Sequence, residues 1–437
     1  MNRRTKVAKY VLPSLLSQCA FFLFTIVDGV FVGHGVGTDA LGAVNLTFPY
    51  IMIISAVFML STIGGVTVTA IRMGRKDMHG ANQAFMHSMA ATAVFALIFT
   101  VIGCCFTSPL ATLLGAGETF HYMACDYLFW YCAFAIPSAF NIALMGFGRN
   151  DGAPVMVMAA TILSTSLNIF LDWLFVFPLK MGMKGAAIAT GLSQTVSLLI
   201  ILAHFLMQKG QLRLGGFVYS GALMRKLLKR GMPEMLSQFA TPIATLCMNM
   251  MLIRYVGDEG VNAFSILGYI ISFAFAVFVG ISEGMQPLFG QSYGDKNAEE
   301  LRYFQQISTI VSIIGSAVVY VFIIMFGRMI CVLFGAGAAA TELAVAAIPS
   351  FGWAFLFIAP TTVISAYLYS TKRTSQSVAI NVLRGFVMDP LCILGLTALT
   401  AGASVWWAMG VAEVITFCAA MLLMMRSEKN GVDFNRK

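Results

Sequence analysis

Residues 263–279 read AFSILGYIISFAFAVFV and are followed at 280–297 by GISEGMQPLFGQSYGDKN. The first of these stretches carries no charge, and Glu283, Gln286 and Pro287 then interrupt the apolar run. Its length is close to the ~20 apolar residues that an α-helix needs to cross a membrane. The stretch therefore predicts a membrane-spanning helix that carries a carboxylate inside the bilayer.

The composition extends this prediction to all 437 residues. Hydrophobic residues make up 59% of the chain and charged residues only 11%, and the mean hydropathy is +0.84. Soluble domains are nearer ~25% charged, and the apolar runs are too long and uniform for transmembrane β-strands. We therefore expect an all-α polytopic membrane protein, with no cleavable signal peptide behind MNRRTKVAKY.

Apolar runs separated by glycine, proline or charge predict twelve spans: 11–34, 40–70, 85–107, 121–147, 154–177, 185–207, 231–256, 261–290, 304–326, 342–369, 376–400 and 402–425. Of the 27 Lys and Arg residues, 22 lie in one set of alternate loops and ends, and four lie in the other. Cytoplasmic loops carry the excess of Lys and Arg. We therefore expect a multi-pass protein of the plasma (inner) membrane with both termini in the cytoplasm.

The chain contains an internal repeat. LPSLLSQ at 12–18 matches MPEMLSQ at 232–238, so the numbering of the two copies differs by 220. LLGAG at 113–117 matches LFGAG at 333–337 at the same offset. Asp172 and Asp389 match at an offset of 217, which predicts that the register drifts later in the chain.

The repeat predicts the domain organisation. We expect an N-terminal six-helix lobe at 1–207, a cytoplasmic basic linker at 208–230 and a C-terminal six-helix lobe at 231–437. Each lobe has an even number of spans, so both lobes begin on the cytoplasmic side of the membrane. They are therefore repeats with the same orientation, that is, parallel repeats. Two pseudo-symmetric bundles of this kind are typical of a transporter, although duplicated channels exist.

Glu283 is the first candidate functional residue. Gly294 marks the start of the cytoplasmic loop, and Glu283 lies ~16 Å before it along a helix. A charge at this depth costs at least ~2.5 kcal/mol and usually faces an interior or a cavity. Pro287 leaves the Glu283 carbonyl without its helical donor. Glu283, Gln286 and Pro287 therefore predict a site for a cationic substrate or a coupling proton, and the alternative is a structural kink.

Two further acids lie inside predicted spans. Asp28 is two helical turns before the outer end of the first span, and Asp172 is near the outer end of the fifth. Asn168 is four positions before Asp172, so the two share one helix face. Such oxygens suit a hard cation such as Na⁺, or a shared proton. We expect a coupling-ion site here, and the alternative is interfacial helix pairing.

Three charged residues lie in the last two spans. Asp389 is the predicted repeat partner of Asp172, and Glu413 lies in the final span. These two acids are candidates for a substrate cavity or for structural pairing. Arg384 is five positions before Asp389, which is a poor spacing for a salt bridge within an α-helix, so Arg384 is expected to pair with an acid on another helix.

The sequence offers no enzyme motif. It contains no Walker A lysine motif, no HExxH and no haem motif, and its five histidines show no ligand spacing. The nine cysteines form no CxxC pair and are read as membrane-buried apolar residues. We expect no cofactor and no enzymatic activity, and transport energy must come from an H⁺ or Na⁺ gradient.

Several segments carry a family resemblance when taken together. FTIVDGVFVGHGVGTDALGAVNLTFPY, GFGRNDGAP, LNIFLDWLFVFPLKMGMKGAAIATGLSQ and GISEGMQPLFGQSYGDKN resemble segments of the MATE (multidrug and toxic compound extrusion) transporters. The resemblance covers essentially the whole chain. It implies two six-helix lobes in a V and a cation-coupled drug antiporter. Trp173 stands where many members have proline after the aspartate.

The resemblance also implies site residues. It assigns the coupling-ion site to Asp28, Asn168 and Asp172, with Asn141 and Thr190 as further members, and it assigns Glu283 to the substrate cavity of the carboxyl lobe.

Two functions stay open. The first is export of small organic, mostly cationic amphipathic compounds by a monomer, which implies antibiotic resistance in the cell membrane. The second is a lipid-linked oligosaccharide flippase of the same superfamily, which needs cationic groups for pyrophosphate. Because the intramembrane charges are mainly acidic, with Arg384 alone opposing them, export is favoured. No nucleic-acid partner is expected.

Overall fold

The computed structural model describes residues 3–36, 38–114, 118–333 and 338–429, and every regular element within these ranges is helical. Nine of the described helices are long and apolar enough to cross a membrane. The count rises to eleven when two bent helix pairs are each taken as one span. The long helix Arg3–Gly35 brings the total to twelve. The predicted all-α fold with twelve spans is confirmed.

The chain forms two compact units, Met1–Met235 and Leu236–Lys437. The first unit contains eight helices: α1 Arg3–Gly35, α2 Thr38–Gly74, α3 Met78–Cys105, α4 Thr107–Leu113, α5 Glu118–Ala133, α6 Ala135–Asn150, α7 Pro154–Val176 and α8 Gly182–Leu206. Helix α9, Gly221–Tyr255, begins in the first unit and ends in the second. The part of the predicted linker from Gly221 onward is therefore helical.

The second unit is built in the same way. Its helices are α10 Asp258–Gly294, α11 Ala298–Leu333, α12 Ala338–Gly352, α13 Phe355–Ser370, α14 Thr374–Val382, α15 Thr397–Leu399 and α16 Val405–Lys429. Two π-helical segments, Leu383–Met388 and Leu391–Leu396, join α14 to α15. The predicted span 376–400 is therefore one helical run that contains two wider turns.

The internal repeat is preserved in the backbone. Three pairs of left-handed residues lie in matching turns, and each pair keeps the offset of 220: Lys76 and Lys296, Gly152 and Lys372, Gly182 and Gly402. The turns on both sides of Asp389 thus keep this offset of 220 in the numbering. Counted from the turns, Asp389 lies opposite Ile169.

Two predicted single spans are broken. The helices α5 and α6 meet at 52°, and α12 and α13 meet at 48°. In the first pair, Pro137 lacks the N–H that would bond the carbonyl of Ala133, which removes one helical hydrogen bond at the break. In the second pair, α12 ends at Gly352, a residue of low helix propensity.

An aromatic residue at each break packs against a glycine of a later helix of the same unit. Phe134 lies against Gly191 of α8, where an added Cβ would be 2.1 Å from the ring. Trp353 lies against Gly410 of α16, where an added Cβ would be 2.2 Å from the ring. The aromatic residue and the glycine that it contacts are equally far apart in the sequence of both units. The repeat therefore includes the packing at the two bends.

Residues 210–220, called the strap here, run from α8 to α9 along the first unit. Asp151 anchors the start of the strap, since its Oδ1 accepts hydrogen bonds from the Gln211 and Leu212 N–H groups at 2.7 and 3.0 Å. Its Oδ2 lies 3.0 Å from His204 Nε2. Gly210 passes so close that an added Cβ would be 1.5 Å from this carboxylate. The strap is thus fixed by side chains of the first unit.

The end of the strap is held by α3. The Val218 N–H donates to Gln83 Oε1 at 3.1 Å, and the Ser220 N–H donates to His87 Nε2 at 2.8 Å. His87 Nδ1 lies 2.7 Å from the Gln83 carbonyl. An Nε2 that accepts requires the proton on Nδ1, so His87 is neutral in this arrangement. These bonds position the first residues of α9.

Candidate functional site

Three of the predicted ion-site residues lie together in the first unit. Asn168 and Asp172 are on α7 and Thr190 is on α8, a helix that packs along α7. Asn168 is 2% exposed and Asp172 is 1% exposed. We call these residues the Asn168 cluster. The predicted helix face shared by Asn168 and Asp172 is present in the structure.

The Asn168 amide links the cluster. With its nitrogen toward Asp172, the amide donates to Asp172 Oδ2 at 2.8 Å, and its oxygen accepts from the Thr190 N–H at 3.2 Å. In the opposite orientation, Nδ2 donates to Thr190 Oγ1 at 3.4 Å. The first orientation is assigned because it satisfies both ends of the amide.

Asn141 and Asp28 are the other two predicted members of the ion site, and the structure describes the side chain of Asn141 only. Asn141 lies on α6, which packs against α7 and α8, and it is 6% exposed. Its Oδ1 accepts no hydrogen bond from the described residues. Asp28 belongs to α1, which packs along the length of α7, and its side chain lies outside the described part of the structure.

The chemistry of this cluster suits a hard monovalent cation or a proton. Carboxylate, amide and hydroxyl oxygens are the ligands that hard cations prefer. Within the described residues, no three His, Cys, Asp or Glu side chains are grouped as a metal site would require. Among the described residues, the further oxygens available to an ion beside Asp172 are uncharged.

Glu283 lies on α10, which continues through Pro287 and ends at Gly294. The helix thus ends at the residue expected to begin the cytoplasmic loop, and Glu283 lies ~16 Å from that end along the helix axis. Glu283 is half-buried, whereas Gln286 is 3% exposed and Pro287 is buried. Glu283 is therefore less enclosed by the protein than its two predicted partners.

Arg384, Asp389 and Glu413, which we call the Arg384 triad, lie together in the second unit. Arg384 Nε donates to Glu413 Oε1 at 2.8 Å, which joins the π-helical segment to α16. The exposed fractions are 6% for Arg384, 2% for Asp389 and 0% for Glu413. The expected pairing of Arg384 with an acid on another helix is thus present.

The π turn changes the relation between Arg384 and Asp389. The Asp389 N–H donates to the Arg384 carbonyl, a hydrogen bond between positions five apart. Positions five apart point ~140° away from each other on an α-helix, but the wider π turn, closed by an i→i+5 hydrogen bond, brings them nearer to the same direction. The spacing of five, which is poor for an α-helix, therefore places both side chains on one face.

Both side chains line a small cavity within the second unit. The other lining residues come from α9, α10 and α16: Ala240, Thr241, Ala244, Thr245, Met248, Phe264, Ile271, Phe275 and Met409. The Arg384 guanidinium carbon lies 5.7 Å from the centre of the Phe275 ring. Glu283 and Gln286 do not line this cavity. No signal in the sequence pointed to Thr241, Thr245 or Phe275, because apolar helices carry such residues throughout.

Comparisons with known proteins agree with this architecture. A protein-family model described as MatE matches residues 13–174 and 233–394, two segments that keep the offset of 220 at both ends. The multidrug export protein MepA of Staphylococcus haemolyticus (strain JCSC1435) is 24% identical over 421 residues, which cover 95% of this chain and 92% of that relative.

Two solved structures have the same fold. The crystal structure of MATE in complex with MaL6 has a TM-score of 0.91 at 24% identity and covers 98% of both chains. The outward-facing conformation of a multidrug resistance MATE family transporter of the MOP superfamily has a TM-score of 0.90 at 24% identity, covering 98% of this chain and 97% of that one.

Proposed function

This chain belongs to the MatE family of membrane transporters, and we propose from that premise that it is a cation-coupled multidrug antiporter. Organic, mostly cationic amphipathic compounds leave the cell while H⁺ or Na⁺ enters. The names of the MepA relatives support drug export. Proteins of this family are transporters rather than enzymes.

The Asn168 cluster is the observation that supports ion coupling best. Asp172 is 1% exposed in a membrane-spanning helix, and the Asn168 amide holds its carboxylate. Ionisable residues within spans are expensive and mark ion pathways. An ion at this cluster favours one state of the transporter and the drug favours the other, so each lowers the affinity for the other.

The acids of the second unit support a cationic substrate. Glu283 is half-buried in α10, and the Arg384 triad contains two carboxylates and one guanidinium. The flippase alternative needs a cationic group that is available for pyrophosphate. Arg384 already donates to Glu413, which weighs against that alternative. A monomer with both termini in the cytoplasm completes the proposal.

Transport in liposomes tests the proposal. Purified protein is reconstituted with a fluorescent lipophilic cation, and a Na⁺ gradient and a pH gradient are imposed separately. We expect one gradient to move the cation in the wild type, and Asp28→Asn and Asp172→Asn to abolish that movement. Asp126→Asn makes the same chemical change near the end of a span and serves as the control.

The outcomes separate the alternatives. Full gradient-driven movement in both ion-site variants would remove these residues from coupling. No movement under either gradient, with correctly inserted wild-type protein, would favour the flippase. Loss in Asp126→Asn as well would show that the effect is not specific to the cluster.

A further inference from the structure

A group of basic side chains lies where the end of α2 meets the start of α9. Arg72 is in the last turn of α2 and Arg75 follows that helix, while Lys226 and Arg230 lie in the first turns of α9. Lys226 is close enough to the other three for their charges to act on it. Lys226 is half-buried, Arg230 is 5% exposed, and Arg72 Nη1 donates to the Gly80 carbonyl at 2.5 Å. We call these four basic residues the basic corner.

The backbones of α2 and α9 are in contact beside the basic corner. A Cβ added at Gly64 would be 2.1 Å from the Leu227 carbonyl oxygen, and one added at Gly231 would be 1.8 Å from the Leu60 carbonyl oxygen. Leu227 also packs with Val68 in a buried apolar cluster that α2, α3 and α9 share. The two helices therefore cannot move apart to relieve the repulsion among like charges without breaking this packing.

The nearby acids do not balance the basic corner. Segments 71–77 and 221–230 together contain seven Lys and Arg residues and one acid, Asp77. The Asp77 carboxylate is the N-cap of α3, since its Oδ1 accepts the Gly80 N–H at 2.8 Å. Glu234 is the next acid along α9, one turn beyond the basic corner. With both acids counted against the four cations, an excess of two positive charges remains.

Exposed apolar residues of the strap lie beside these charges. Val218 is 70% exposed, and the rings of Phe217 and Tyr219 pack against His87 but are still 43% and 68% exposed. The strap leads directly into α9, whose first residue lies ~7 Å before Lys226 along the helix axis. Tyrosine and apolar side chains beside basic ones are typical of segments at the headgroup level of a membrane.

We propose that the basic corner binds the headgroup of an anionic phospholipid, with the exposed apolar residues of the strap against the acyl chains of that lipid. A phosphodiester supplies the negative charge that this part of the molecule lacks, and guanidinium groups bind phosphate oxygens through paired N–H donors. A soluble phosphate would balance the same cations but would leave the apolar strap residues in water. The burial of those residues therefore favours the lipid.

Lipid binding to the purified full-length protein tests the inference, and it is measured without transport. Native mass spectrometry of the detergent-solubilised protein counts bound lipids and gives the dissociation constant of the first one. The probes are dioctanoyl phosphatidylglycerol, which is anionic, and dioctanoyl phosphatidylcholine, which is zwitterionic. Inorganic phosphate and glycerophosphoglycerol, the same headgroup without acyl chains, are added as competitors.

Three variants locate the site. Arg75→Gln and Lys226→Gln each remove one charge of the basic corner. Lys296→Gln removes one charge from the matching turn of the second unit, beside Asp295, and is the control. Arg75 is exposed, so its variant decides the question if Lys226→Gln does not fold.

We expect the wild type to bind phosphatidylglycerol at least about fivefold more tightly than phosphatidylcholine, since each basic residue at a membrane surface contributes about that factor. Arg75→Gln and Lys226→Gln should each weaken phosphatidylglycerol binding about fivefold. Lys296→Gln should stay within about twofold of the wild type. Both competitors should displace the lipid at least about tenfold less well than the unlabelled lipid does, because they lack acyl chains.

Other results overturn the inference. Equal binding of the two lipids by the wild type, or wild-type binding by both variants of the basic corner, would show that no anionic lipid is held there. An equal loss in Lys296→Gln would assign the effect to the total charge of the protein. If inorganic phosphate or glycerophosphoglycerol displaces the lipid as well as the lipid itself does, the basic corner binds a soluble phosphate and the assignment to a lipid is wrong.

Discussion

Glu283 provides the most direct test of substrate charge at a single position. Glu283→Gln keeps the shape of this half-buried side chain and removes its charge. We expect transport of a cationic substrate to fall about tenfold and transport of a neutral one to change little, because one Coulombic partner is lost. Competition assays with the two substrates measure the difference. Glu259→Gln, which changes an exposed acid on the same helix, is the control. An equal loss of transport for both substrates would favour the alternative that Glu283 belongs to a structural kink of the helix.

Gly210 is a position where one methyl group has a large predicted effect. An added Cβ would be 1.5 Å from the Asp151 carboxylate, which anchors the strap. We expect Gly210→Ala to displace the strap and to lower the free energy of unfolding by about 1–3 kcal/mol, as overpacking does. Thermal unfolding and proteolysis within 210–220 measure the effect. Gly268→Ala, inside α10 where nothing lies within 4 Å of the added Cβ, should leave the proteolysis unchanged and should not lower the free energy of unfolding.

Sequence reasoning succeeded where spacing alone determines geometry. The spacing of four between Asn168 and Asp172 predicts one helix face, and the structure has these side chains within hydrogen-bonding distance of each other. It was incomplete at Arg384 and Asp389, because a π turn changes which residues face each other and no sequence pattern distinguishes it from an α-helical turn. The roles of these residues in transport stay predictions.

At the scale of secondary-structure elements, the bent helix pairs depend on close packing at two glycines. We expect Gly191→Ala to move Phe134, and Gly410→Ala to move Trp353, because each added Cβ would lie within 2.4 Å of the ring. Either variant should destabilise the protein by about 1–3 kcal/mol. Thermal unfolding measures this change in both units.

A second substitution tests whether the aromatic ring is the cause. Trp353→Leu combined with Gly410→Ala should recover part of the lost stability, since the smaller side chain makes room for the methyl group. No recovery would place the strain elsewhere in α16. The sequence contained part of this information: Pro137 signals the first break, but nothing in the sequence connects Phe134 to Gly191, which lies two helices further along the chain.

At the scale of the whole molecule, the distribution of Lys and Arg predicts the orientation. A fluorescent protein that folds only in the cytoplasm should be bright when fused after Lys437, and alkaline phosphatase should be inactive there. The reverse is expected for fusions within the loop around Lys180, which belongs to the Lys-poor set. Phosphatase activity at the C-terminal fusion would reverse the assigned topology.

The duplicated fold was the most predictable property of the whole molecule. Two short motifs at an offset of 220 indicated it, and the left-handed turns keep this offset. The boundary between the units was harder to predict, because the basic linker at 208–230 has the composition of a domain boundary. In the structure the strap is held by the first unit, and the division follows Met235 within α9.

The position of Trp353 also has a spectroscopic consequence. The centre of its indole ring lies 5.8 Å from that of Trp407 and 5.9 Å from that of Phe357. Two indoles at this separation couple their electronic transitions, and the chiral setting makes that coupling visible in near-ultraviolet circular dichroism. Any change in the bend between α12 and α13 alters the distance between the rings. The second unit therefore carries an intrinsic optical reporter of its own conformation, readable without a label.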